Sequence, residues 1–91
     1  STVDREFTLN NVRVELTLPP GMSDAADSSR TRMTQTIPQI LPRNIGFVDF
    51  RVQVNPDANG FLPYTVRVDA PTGASKTLSS TINVASTPRL G

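Results

Sequence analysis

Val12, Val14, Leu16 and Leu18 share one phase of the chain, and Arg13, Glu15 and Thr17 share the other. The same period of two returns at Val48, Phe50, Val52 and Val54, interleaved with Asp49, Arg51 and Gln53. It returns again at Leu62, Tyr64, Val66 and Val68, interleaved with Pro63, Thr65, Arg67 and Asp69. Side chains that switch faces at every residue belong to extended strands with one covered and one wet side. A weaker alternation puts Leu78, Ile82 and Val84 on one face of "KTLSSTINV", while Val3, Phe7 and Leu9 mark a first strand in "STVDREFTLN". "MTQTIPQIL" is apolar at Met33, Ile37, Ile40 and Leu41, but Pro38 has no N–H for a ladder, which predicts a sheet edge. No ten-residue window carries a 3.6-residue period, so essentially no helix is expected.

Dense punctuation separates these strands. "PPG" at 19 to 21, "LPRNIG" at 41 to 46, "NPDANG" at 55 to 60 and "APTG" at 70 to 73 combine the preset φ of proline with glycine or asparagine, which tolerate positive φ. They predict turns, and "LPPGM" in particular is expected to stop the strand at Leu18 and reverse the chain. "SDAADSSRTR", residues 23 to 32, is polar throughout and reads as a long, mobile surface loop. Short strands with turns between them predict an all-β fold: one small antiparallel sandwich of six to seven strands over residues 1 to 91.

Strands 47 to 54 and 62 to 69 have two possible relations. As a hairpin with Val54 opposite Leu62, they place Asp49 on Arg67; a shift of two residues opposes Arg51 to Arg67 and Asp49 to Asp69, which is worse by about a kcal/mol. Alternatively the two strands lie in opposite sheets joined by a crossing loop.

Composition narrows the chemistry. With 36% hydrophobic residues, no Trp and four Phe, the core is thin and must be drawn from Val, Leu, Ile and Phe. The chain contains no Cys and no His, which removes disulfides, thiol catalysis, His-based triads and the commonest metal ligand. A net charge of +1 gives no field for gathering polyanions, so nucleic acid is not an expected partner outside a capsid context. No window approaches the roughly 20 apolar residues of a membrane-spanning helix.

Few groupings remain that resemble chemistry. The carboxylate pairs Asp4/Glu6 and Asp24/Asp27 sit among polar neighbours rather than in an apolar pocket that would raise one pKa. Asp57, Asn59 and Gly60 resemble part of an oxygen-ligand calcium loop but lack the closing bidentate acid, and a tight turn accounts for them. Ser75 and Lys76 are adjacent on a strand, hence on opposite faces. The reading is therefore no enzyme, no cofactor, no metal and no small-molecule substrate. Every basic residue but Lys76 is arginine, and Arg30, Arg32 and Arg43 in loops are the candidates for contact with a partner's carboxylates.

The order of signals resembles bacterial Ig-like sandwich modules: the cell-adhesion-related bacterial domain and the Ig-like domain associated with α-galactosidases. The resemblance covers residues 11 to 84 and rests on Leu18, Pro19 and Gly21 after one strand, Leu41, Pro42 and Asn44 before the next, and Gly60 with Tyr64 opening the penultimate one. It implies an Ig-like, non-catalytic binding or spacer module at a cell surface or outside the cell. The family's further Val- and Thr-rich strand is represented at most by "EFTLNN". The edge it would cover is thus expected to be open, and an open edge invites strand addition by a protein partner or another copy. The alternative is a virion structural protein, a capsid or decoration subunit, that uses the same edge to self-assemble. A carbohydrate- or calcium-binding accessory domain is a third class.

Overall fold

Six strands make up the described part of the molecule, residues 7 to 85 of a computed structural model. They are β1 (Leu9–Thr17), β2 (Met22–Asp24), β3 (Arg32–Ile40), β4 (Val52–Val54), β5 (Gly60–Asp69) and β6 (Ser75–Val84). All pairings are antiparallel, in a four-stranded sheet of order β3-β1-β5-β6 and a two-stranded sheet β2-β4. The described residues contain no helix. The chain is all-β, as its periodicity predicts. Of the first strand expected in residues 1 to 10, residues 1 to 6 lie outside the described residues, and Leu9 and Asn10 already belong to β1.

β1 is an inner strand, and its two phases set the two faces of the large sheet. On the apolar phase Val14 opposes Gln35 and Val68, and Leu16 opposes Met33 and Val66. On the other, Arg13 opposes Asp69 and Glu15 opposes Arg67. Ion pairs also run along the strands, Arg13 to Glu15 at 3.7 Å and Arg67 to Asp69 at 3.1 Å. Each of these four charges therefore has unlike neighbours along and across the sheet, the arrangement a ladder favours. The outer face continues as hydroxyls: Thr34 and Thr36 on β3, Thr65 on β5, and Ser75, Thr77, Ser79 and Thr81 on β6.

Asn11 interrupts this regularity with φ of 52. Its place in the register is opposite Pro38, between the pairs Asn10–Gln39 and Val12–Ile37. Pro38 donates nothing to the ladder, and asparagine tolerates the left-handed region better than most residues. The register resumes unchanged beyond the gap. Pro38 thus sits on an edge strand, as expected.

The turn "LPPGM" closes with the Met22 N–H donating to the Pro19 carbonyl at 3.2 Å. Proline at the second position and Gly21 at φ 98 in the third give the dihedral pattern of a type II turn. The reversal starts β2 and brings Met22 onto the apolar face of the large sheet. Leu16, Leu18 and Met22 form the buried cluster, with Met33, Phe50, Val52, Leu62, Tyr64 and Val66 packed against it. Val12 and Val14 are also buried.

The two possible relations of strands 47 to 54 and 62 to 69 resolve in favour of separate sheets. β4 is spent on β2, and the Asn55 N–H donates to the Gly21 carbonyl at 2.7 Å, holding the chain on that side past the end of the strand. β5 is paired along its whole length by β6, and over Thr65–Asp69 by β1 as well. In the register Arg67 consequently lies opposite Glu15, not Asp49. Only 52 to 54 of the expected strand enter a ladder. Residues 45 to 51 run beside β3 instead, with Gly46 so close to Ile37 and Ile40 that a Cβ would meet the Ile40 side chain at 2.6 Å. The Gln35 side-chain amide donates to the Asp49 carbonyl along the same path.

The second layer is therefore narrow, two strands of three residues each. It leaves the molecule thin, and the short overlap of β1 with β5, Arg13–Thr17 against Thr65–Asp69, draws it out lengthwise, to 59 × 25 × 18 Å with a Cα radius of gyration of 16.3 Å, where a compact chain of this length has about 12 Å.

Candidate functional site

Each sequence-predicted group has a definite place. Arg30 and Arg32 line one shallow depression of about 370 Å³ with Asp24, Met33, Thr34, Gln35 and Phe50. Arg30 is engaged inside the chain, its guanidinium 3.6 Å from Asp24 and 3.9 Å from Asp27. Arg32 opens β3 opposite Thr17. Arg43 is not among the residues of this depression; it stands at φ 62 in the turn closed by the Asn44 N–H on the Leu41 carbonyl at 3.1 Å. The three arginines do not form one site.

Segment 23 to 32 is built rather than open. Asp27 N–H donates to the Asp24 carbonyl at 3.1 Å, and Arg30 N–H to the Asp27 carbonyl at 3.0 Å. Each aspartate also accepts a bond from the amide two residues on, Ala26 for Asp24 and Ser29 for Asp27, both at 2.9 Å. Two consecutive turns result, each braced by its own first side chain. The Ser29 hydroxyl, then the Ser29 amide, hold the Asp27 carboxyl below the usual carboxylate range, with help from Arg30. The signal was present as Asp24, Asp27 and Arg30 at a spacing of three, each aspartate starting a turn.

The other groupings are architectural. Asp57 N–H donates to Asn55 Oδ1 at 2.9 Å and Ala58 N–H to the Asn55 carbonyl at 2.9 Å, so "NPDANG" is a turn leading to Gly60 at φ 85. Ser75 faces the charged side of the sheet, where Arg67 Nε donates to its hydroxyl at 3.3 Å, and it lowers the Asp69 pKa. Lys76 lies on the other side, opposite Val68. Asp4 and Glu6 lie outside the described residues. Among the described residues no three of His, Cys, Asp or Glu come together as metal ligands, and no helix is long and apolar enough to cross a membrane.

What composition concealed is the amount of apolar surface left bare. Three of the four Phe are exposed, Phe7, Phe47 at 81% and Phe61 at 72%, although the sequence assigns them to the core. Phe61 falls on the outer phase of β5, opposite Asn83, and Phe47 falls on the exposed phase beside Val48. Leu78 and Ile82 are on the inner phase, opposite Val66 and Leu62, yet remain 52% and 38% exposed. β2 and β4 are too short to reach over them. β6 is also an outer strand, so every second residue turns its backbone N–H and C=O away from the sheet.

No protein-family model matches the chain, and no curated protein or solved structure matches it.

Proposed function

We propose that the chain is a non-catalytic structural or interaction module that meets a protein partner along β6. The observation that carries this reading is the coincidence, on one ten-residue strand, of a backbone edge that no other described strand occupies and the uncovered inner-phase residues Leu78 and Ile82. A strand added there gains main-chain hydrogen bonds from the edge and apolar contact from the same residues. The Ig-like module and the particle subunit are two settings for this one surface. The charged depression at Arg30 and Arg32 supports the reading less, because the Arg30 guanidinium already faces two carboxylates of its own chain.

A soluble ten-residue peptide alternating Leu or Ile with Thr serves as a generic strand probe. Titrated into the labelled chain, it is expected to shift the amides of β6 and leave those of β3 unmoved. Shifts confined to β3, or none at saturating peptide, would overturn the reading.

A further inference from the structure

From the register on β6 we infer that the strand pairs with β6 of a second copy, antiparallel about a two-fold axis at Ser80. This rests on the reading of β6 as the contact edge and goes further by naming the occupant and the alignment.

The two outer strands of the sheet are treated differently. β3 contains Pro38 and starts at Arg32. Proline and charge are among the means by which proteins blunt an edge. β6, "SKTLSSTINV", has no proline and no positive-φ residue, and its single charge, Lys76, is near one end. It therefore lacks the features that would repel another copy, and it carries no charge pattern that would select a foreign strand.

Self-pairing also has a preferred alignment. In a two-fold antiparallel pair, residues meet at a constant sum of numbers, and the sum must be even to keep apolar side chains on one face. Centring on Ser80 sets Leu78 against Ile82 of the other copy, twice by symmetry, and Lys76 against Val84. On the opposite face Thr77 meets Asn83 and Ser79 meets Thr81. Centring on Ser79 instead sets Leu78 against Ser80 and Lys76 against Ile82, while centring on Thr81 sets Leu78 against Val84 but Ser80 against Ile82. Only the Ser80 alignment sets the two exposed aliphatics directly against each other. It keeps the two copies of Lys76 at opposite ends, eight positions or about 26 Å apart. The contact is isologous, so it closes at two copies and makes one continuous eight-stranded sheet.

An edge-to-edge contact of ten residues is small among specific interfaces, so association is sought by sedimentation from about 5 to about 500 μM. The chain has no cysteine, so Ser80→Cys introduces a single thiol. Residues directly opposed in an antiparallel pair have Cα atoms about 4.5 to 5.5 Å apart, within the reach of a disulfide. Thr77→Cys places its two thiols about 20 Å apart in the same dimer. The expected result is a two-fold mass at high concentration and oxidation of Ser80→Cys to a covalent dimer at least tenfold faster than Thr77→Cys. A second test needs no thiol: a Leu78→Lys chain mixed with an Ile82→Asp chain should form the mixed dimer in preference to either alone. A monomer throughout the range, equal cross-linking rates, or no preference for mixing overturns the proposal. Binding of the strand peptide to β6 by a chain that stays monomeric would sink the second copy as occupant and leave the contact edge standing.

Discussion

β1 from Val12 onward and β6 both place their apolar residues on even numbers, but β1 buries Val12, Val14 and Leu16 while β6 leaves Leu78 and Ile82 open. The difference lies in what is opposite them. β1 has strands on both sides and the β2–β4 layer above Leu16. Among the described strands, β6 has a neighbour on one side only. Alternation therefore specifies that a strand forms and which way its side chains point, whereas burial depends on whether another element reaches that far. A reader of the sequence sees the first and not the second.

This contrast predicts unequal consequences for the same substitution. Leu16→Ala removes a side chain packed in the buried cluster and is expected to cost about 2 to 4 kcal/mol in urea unfolding of the dilute chain. Leu78→Ala, half open already, should cost less than about 1 kcal/mol under the same conditions. Equal losses would erase the distinction between the two strands.

Two glycine turns differ in the same way on a smaller scale. Gly21 has φ of 98, and a Cβ there would lie 3.1 Å from Ala58, whereas Gly73 has φ of 93 with nothing within 4 Å. Gly73→Ala is expected to cost about 1 kcal/mol from backbone strain alone, and Gly21→Ala roughly 1 to 2 kcal/mol, since it also crowds the turn beside the covered layer. Thermal melts of the two variants in parallel measure the difference.

The smallest effect is on pH. Asp69 is held below its ordinary pKa chiefly by the Ser75 hydroxyl and also by Arg67, and Asp27 chiefly by the Ser29 hydroxyl. A carboxyl with a depressed folded pKa contributes stability above its unfolded value of about 4, and that contribution disappears as pH falls through the lower folded value. Urea midpoints should therefore decline below about pH 4. Ser75→Ala should weaken the decline by acting at the β5–β6 junction, and Ser29→Ala by acting in the loop next to β2. Midpoints indifferent to acid in the parent chain would contradict both assignments.

How much could be read beforehand varies along the chain. The strands β1, β5 and β6 follow from period two, and the edge position of β3 follows from Pro38, because these depend on local stereochemistry. The turn at Pro19 to Met22 follows from proline before glycine for the same reason. The partner of β4 was not legible. Val52 and Val54 would suit either β5 or β2, and the decision rests on the Asn55 to Gly21 hydrogen bond, between residues 34 positions apart. The surface places of Phe47 and Phe61 were hidden likewise: hydrophobicity argued for the core while their odd phase argued against it. At the candidate site, the charge of Arg30 suggests an outside partner, whereas the spacing of three from Asp24 to Asp27 to Arg30 is the local signal for two turns that bring its guanidinium to both carboxylates.

Those two turns bear on how the chain ages in a cell. Composition would make the stretch between Met22 and Arg32 the first place for a protease to nick, since cleavage needs several residues drawn out straight in an enzyme's groove. Here the aspartates fasten that stretch to itself and the Ala25 amide ties it to the Arg51 carbonyl at 3.0 Å. Drawing it straight means undoing both clasps and a cross-tie together, so the segment that looks most disposable on paper should outlast digestion for as long as the protein around it stays folded.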